Sequence, residues 1–201
     1  MLEIRFHGRG GQGTVIATVM LAKAFFKEGY QVQSFPLFGV ERRGAPVEAY
    51  IRCDRTDILI RTNVYTPDHV VVQDATLLQS IDVTRGLRQG GWILINSPCP
   101  PTDMSPFAGF RVAVTDANGI ARDHDLGTRT HPIVNTSMIG AFARLLGTPS
   151  MTTIAEAIKE EVPGAATANM AAAEDAYKNV HPAGTTGHDR FPEPDTRSMV
   201  T

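Results

Sequence analysis

Cysteine is nearly absent: the 201 residues hold two, Cys53 and Cys99. Two thiols cannot supply the four cysteinyl ligands of an iron–sulfur cluster. They build no disulfide framework either, so a reducing cytoplasm is the expected compartment. The six histidines leave a four-ligand zinc site formally open, but no Cys-x-x-Cys or His-x-x-x-His pair supports one. A basic surplus is missing as well. The 19 basic and 21 acidic residues give a net charge of -2, which argues against phosphate-driven nucleic-acid binding. No run of about 18 apolar residues could span a membrane. Met1-Leu2-Glu3-Ile4-Arg5 lacks the basic-then-apolar pattern of a signal peptide. There is no Gly-x-Ser-x-Gly, no His-Glu-x-x-His and no other convincing catalytic constellation.

The residues that are present read as alternating strands and helices. Leu2 to His7 alternates apolar and polar. The loop Gly8-Arg9-Gly10-Gly11-Gln12-Gly13 follows, then apolar residues at helical spacing from Val15 to Ala24, closed by Gly29. Strands are expected at Gln31–Phe35, Val47–Cys53, His69–Gln73, Trp92–Asn96 and Arg111–Thr115. Helices are expected at about Thr76–Arg88, Ala117–Asp125, Asn135–Leu146, Thr153–Val162 and Thr167–Val180. Thr153-Ile154-Ala155-Glu156 fits a capping box. The expected fold is α/β: a mostly parallel sheet with helices on both faces and the glycine loop after strand one, a Rossmann-like arrangement. One domain would occupy residues 1–180. Residues 181–201, rich in Pro, Gly, Thr and Asp, read as an extended tail ordered only on a partner.

Two loops carry the functional interest. Gly8, Gly10 and Gly13 fit G-x-G-x-x-G between a strand and a helix, where glycines allow close backbone approach and the helix amino end favours an anion. A dinucleotide site would also need an acid at the end of strand two, and Gln31-Val32-Gln33-Ser34-Phe35 has none. The loop is then a tight structural turn, or a contact for phosphate or a partner. The second loop, Phe38-Gly39-Val40-Glu41-Arg42-Arg43-Gly44-Ala45-Pro46, holds adjacent arginines suited to phosphate or carboxylate. It is either a solvated turn held by a Glu–Arg pair or a site of anion capture or subunit contact. Ligands of such sheets gather at the carboxyl ends of strands, which places both loops on one edge. His7, Cys53, Cys99 and Asp123-His124-Asp125 read as structural. Asn135-Thr136-Ser137 can cap a helix or present polar groups to a ligand.

Three segments occur in order: Gly8 to Gly13, Phe35-Pro36 with Phe38-Gly39 and Glu41 to Pro46, and Asn135-Thr136-Ser137-Met138-Ile139-Gly140-Ala141. Together they resemble the gamma subunit of 2-oxoacid:ferredoxin oxidoreductases, pyruvate:ferredoxin oxidoreductase among them, over about residues 1 to 180. The resemblance implies a non-catalytic member of a complex that decarboxylates a 2-oxoacid, forms an acyl-coenzyme A and reduces ferredoxin. It implies alpha, beta and delta-type partner subunits that hold thiamine diphosphate, magnesium and four-iron four-sulfur clusters, with coenzyme A at the edge of this chain. The residues to which it assigns that edge are Gly8, Arg9, Gly10, Gly11, Gln12, Gly13, Glu41, Arg42, Arg43 and Asn135. A free-standing nucleotide- or anion-binding protein of Rossmann-like fold is the alternative.

Overall fold

A computed structural model gives the fold and describes residues 1–37 and 43–183. Strand β1 (Leu2–Arg9) leads through the glycine loop into α1 (Thr14–Lys27). The antiparallel strands β2 (Gln31–Leu37) and β3 (Pro46–Asp54) follow. Then come β4 (His69–Val72), β5 (Trp92–Asn96), β6 (Arg111–Thr115) and α2 (Ala117–Asp123). Helices α3 (Asn135–Leu146), α4 (Met151–Glu161) and α5 (Ala166–Asn179) close the chain before β7 (His181–Pro182).

The seven strands form one sheet in the order β2-β3-β1-β4-β5-β6-β7. Its centre, β1, β4, β5 and β6, is parallel as expected. The flanks depart from that expectation, because β3 runs antiparallel to both β1 and β2, and β7 antiparallel to β6. A short loop can join β2 to β3 directly, whereas parallel neighbours need a crossover. The central strands are Val- and Ile-rich and buried on both faces, the usual condition of parallel strands.

The two faces are covered differently. Ile4, Phe6, Val71, Leu94 and Ala113 pack under residues from all five α-helices. Val70, Val72, Ile93, Ile95, Val112 and Val114 lie instead under Val83, Leu87 and Phe107, which come from irregular chain and 3-10 turns. Among the described residues, α-helical cover is therefore confined to one face. The helix expected over Thr76–Arg88 reduces to a 3-10 helix at Ala75–Gln79. The carbonyls of Val83 and Arg85 turn to accept from the buried Arg5 guanidinium at 2.9 and 2.8 Å. Asp82 adds a turn by accepting from Thr84. A helix would need those carbonyls for its own N–H groups.

The start of α4 also differs from the capping box expected at Thr153. Ser150 is the N-cap and accepts from the Thr153 N–H at 3.3 Å. The acid comes from Glu28, just past α1, which takes the Ser150 N–H and the hydroxyls of Thr148 and Thr153. Residues 181–183 leave the expected tail and join the sheet edge, with the Ala183 N–H on Val112 O. The rest of the expected tail, and Glu41 and Arg42, lie outside the described residues.

Candidate functional site

β1 ends where β3 begins, paired residue for residue from Leu2 with Cys53 to Arg9 with Pro46. This ladder brings the glycine loop and the Arg43 segment together at the carboxyl edge of the parallel strands. The Gly10 N–H donates to Ala45 O at 2.8 Å, and the Gly44 N–H to Gly10 O at 2.9 Å. Arg43 is exposed, and its Cγ lies 3.8 Å from the position a Cβ on Gly11 would take. Gly11, at φ +93, supplies the left-handed backbone of the turn, and a Cβ there would make only ordinary contact with the arginine stem.

Helix α1 opens beside this crossing. Its N-cap, Gly13, is left-handed at φ 72 and offers no side-chain cap, and the first turn holds no acid. The leading N–H groups of such a helix lack intrahelical acceptors and carry partial positive charge. Asn135, at the start of α3, closes the other side: a Cβ on Gly13 would meet its Nδ2 at 2.8 Å. Its Oδ1 takes the Thr136 N–H, so Asn135 does not cap α3. Val15, Ile16 and Ile133 add exposed apolar surface.

Arg9 and Gln12 stand differently from their expected place as ligand residues. Both turn inward onto Asp74, which follows β4. Arg9 donates through Nε to Asp74 at 3.1 Å and through its other nitrogens to Gly44 O and Thr76 Oγ1. Gln12 donates to Asp74 at 2.9 Å and accepts the Arg9 N–H at 2.7 Å. Burial works to raise the Asp74 carboxyl. The bonds from Thr76 and Gln12 and the Arg9 charge outweigh it and hold the group below the usual range. With Arg9 paired, Arg43 has no ion-pair partner among the described residues.

Beneath the loop the last rung of the sheet turns polar. Gly8, Gln73, Asn96 and Thr115 follow the apolar row Phe6, Val71, Leu94 and Ala113 on the helix-covered face. Asn96 Nδ2 donates to Gln73 O at 2.9 Å. The Gln73 amide, Asn96 Oδ1, Thr115 Oγ1 and Thr14 Oγ1 are buried without a hydrogen-bond partner among the described residues. Sequence reasoning missed Asp74 and this rung. The available signal was position, since Gln73 and Asp74 directly follow an apolar run and Asn96 and Thr115 end one.

Cluster ligation does not fit this chain. Cys53 is buried in β3 with its thiol pushed up to about 12 by burial, and Cys99 is exposed past β5. Among the described residues no three acidic, His or Cys side chains gather around a metal position. No described helix is long and apolar enough to cross a membrane.

A family model for pyruvate ferredoxin/flavodoxin oxidoreductase matches residues 3–179. The chain belongs to that family. It is 48% identical over 181 residues to pyruvate synthase subunit PorC of Methanocaldococcus jannaschii, covering 90% of this chain and 97% of that one. It is also 48% identical over 181 residues to the common subunit gamma of the pyruvate/ketoisovalerate oxidoreductases of Thermococcus kodakarensis, covering 88% and 96%. The crystal structure of pyruvate oxidoreductase subunit PORC from Thermotoga maritima superimposes with a TM-score of 0.76 at 33% identity, over 91% of this chain and 98% of that one. The same fold, at 19% identity and a TM-score of 0.69, matches 88% of this chain to 31% of a longer one. That chain belongs to 2-oxoglutarate:ferredoxin oxidoreductase from Magnetococcus marinus, with 2-oxoglutarate, coenzyme A and succinyl-CoA bound. Within the family this chain is a gamma-type subunit of an oxidoreductase complex.

Proposed function

We propose that this gamma-type subunit closes the coenzyme A site of a 2-oxoacid:ferredoxin oxidoreductase. Alpha, beta and delta-type partners hold thiamine diphosphate, magnesium and the iron–sulfur clusters, and electrons pass to ferredoxin. The reading rests on one observation: the Arg43 stem crosses Gly11 beside the uncapped, acid-free start of α1. An exposed arginine whose stem lies beside a helix amino end offers a seat for a phosphate group. Gly8 to Gly13 and Asn135 shape that seat, and Val15 and Ile16 offer apolar surface to the rest of the ligand.

The experiment is steady-state kinetics on the assembled complex. Arg43→Ala raises KM for coenzyme A by about tenfold, the worth of a hydrogen bond to a charged group. An unchanged KM in an intact complex defeats the reading. The segment from 184 onward belongs against a partner subunit in the same reading. Limited proteolysis then removes it from the isolated chain and spares it in the complex, and equal cleavage in both counts against that contact.

A further inference from the structure

Asp74 is the carboxylate on which three segments meet. Its Oδ2 accepts from Arg9 Nε at 3.1 Å and from Gln12 Nε2 at 2.9 Å. Its Oδ1 accepts from the Thr76 N–H at 3.0 Å and the Thr76 hydroxyl at 2.5 Å. Arg9 carries the linkage onward to Thr76 Oγ1 at 2.7 Å and Gly44 O at 3.1 Å. Gly44 and Ala45 in turn pair with Gly10 through the backbone. The glycine loop, the segment behind β4 and the Arg43 segment are therefore closed on one side chain that is only 17% exposed.

We infer that Asp74 is a positioning residue. It makes no contact with the ligand, but holds Arg43 over Gly11 at the start of α1. The inference rests on the coenzyme A reading above. Two physical consequences follow. Asp74 neutralises Arg9, so among the described residues of this edge the positive charge without an ion-pair partner is on Arg43 and not on the loop arginine beneath it. Asp74 also fixes the Arg9 fork, whose second arm holds the Gly44 carbonyl next to Arg43. An amide has one acceptor oxygen where the carboxylate has two, so it loses the charge that pairs with Arg9 and sets its N–H groups either against Arg9 and Gln12 or against the Thr76 N–H, weakening the linkage without changing its volume.

The test combines two readouts. Hydrogen exchange of the full chain follows the Gly10 and Gly44 amides, which join the two loops. Steady-state kinetics of the assembled oxidoreductase follow KM for coenzyme A. Asp74→Asn speeds exchange at both amides by about tenfold and raises KM by a similar factor, with kcat falling less than KM rises. Adding Gln12→Glu restores an acceptor opposite the new amide and a charge beside Arg9, and recovers most of both effects. Unchanged exchange in Asp74→Asn overturns the inference. So does faster exchange with an unchanged KM, provided that Arg43→Ala raises KM. A flat KM in Arg43→Ala overturns the coenzyme A reading instead, and the ligand role of Asp74 with it. That case is recognised because exchange at Gly10 and Gly44 still responds to Asp74→Asn.

Discussion

Arg52 Nε reaches Glu3 Oε1 at 2.7 Å across the β1–β3 ladder, with 2% and 9% of the side chains exposed. Arg52 also stands over the Phe35 ring, 5.4 Å from its centre. Removing one partner leaves an uncompensated buried charge, which costs about 3–5 kcal/mol. Arg52→Met or Glu3→Leu alone lowers stability in urea unfolding by that amount. The double variant recovers most of the loss, since two apolar groups leave no charge unpaired.

Acid weakens the fold through two buried imidazoles. Burial, then the Arg5 charge, pushes His7 down to about 4 against the pull of Glu48, with Arg85 lowering and Asp82 raising it more weakly. Burial likewise takes His69 to about 4, and its Nδ1 accepts the Trp92 N–H at 3.0 Å. Both side chains bind protons more readily in the unfolded chain, whose histidines titrate near 6.5. Their stabilising contribution is complete above that pH and is lost as pH falls from about 6.5 to about 4. For His7 the loss is about 3 kcal/mol. Thermal melts across this window show Tm falling with acidity, and His7→Phe flattens part of the slope.

Gly140 allows α3 and α5 to touch backbone to backbone, because a Cβ there would strike Ala173 O and the atoms beside it. Backbone cannot rotate away as a side chain can. Gly140→Ala therefore forces the helices apart at about 1–3 kcal/mol, beyond the usual helix preference for alanine. Denaturant midpoints read the difference.

Gly11 and Gly13 both sit at positive φ, but their surroundings separate them. A Cβ on Gly11 makes ordinary contact with Arg43 at 3.8 Å, whereas one on Gly13 meets Asn135 at 2.8 Å. Gly11→Ala carries only the left-handed backbone cost of about 1–2 kcal/mol. Gly13→Ala carries that and the contact. Asn135→Ser relieves Gly13→Ala and leaves Gly11→Ala unimproved, and a double-mutant cycle measures the coupling.

Legibility followed the range of the forces involved. β5, β6 and α3 have the bounds their apolar runs and helical spacing imply, because local pattern and burial agree. The stretch after Asp74 misled because Leu77, Leu78 and Ile81 recur at helical spacing, while the decisive partner, Arg5, is 78 residues from Val83. At the edge itself, Gly8 to Gly13 announced a strand–loop–helix turn, and the structure brings Arg43 and Asn135 to it. Arg9 and Gln12 looked available to a ligand because their inward partner, Asp74, is 65 and 62 residues away. A charged side chain in a glycine loop reads the same whether it faces solvent or an acid in the turn after a neighbouring strand.

Met1 pairs with Asp54 where β1 begins, and β7 runs antiparallel to β6 so that Ala183 heads back toward that same side of the sheet. Both ends of the described chain therefore point away from Gly11 and Arg43. The sheet keeps the first and last described residues on one side and the Gly11–Arg43 edge on the other. In the 2-oxoglutarate enzyme the same fold takes up less than a third of one chain.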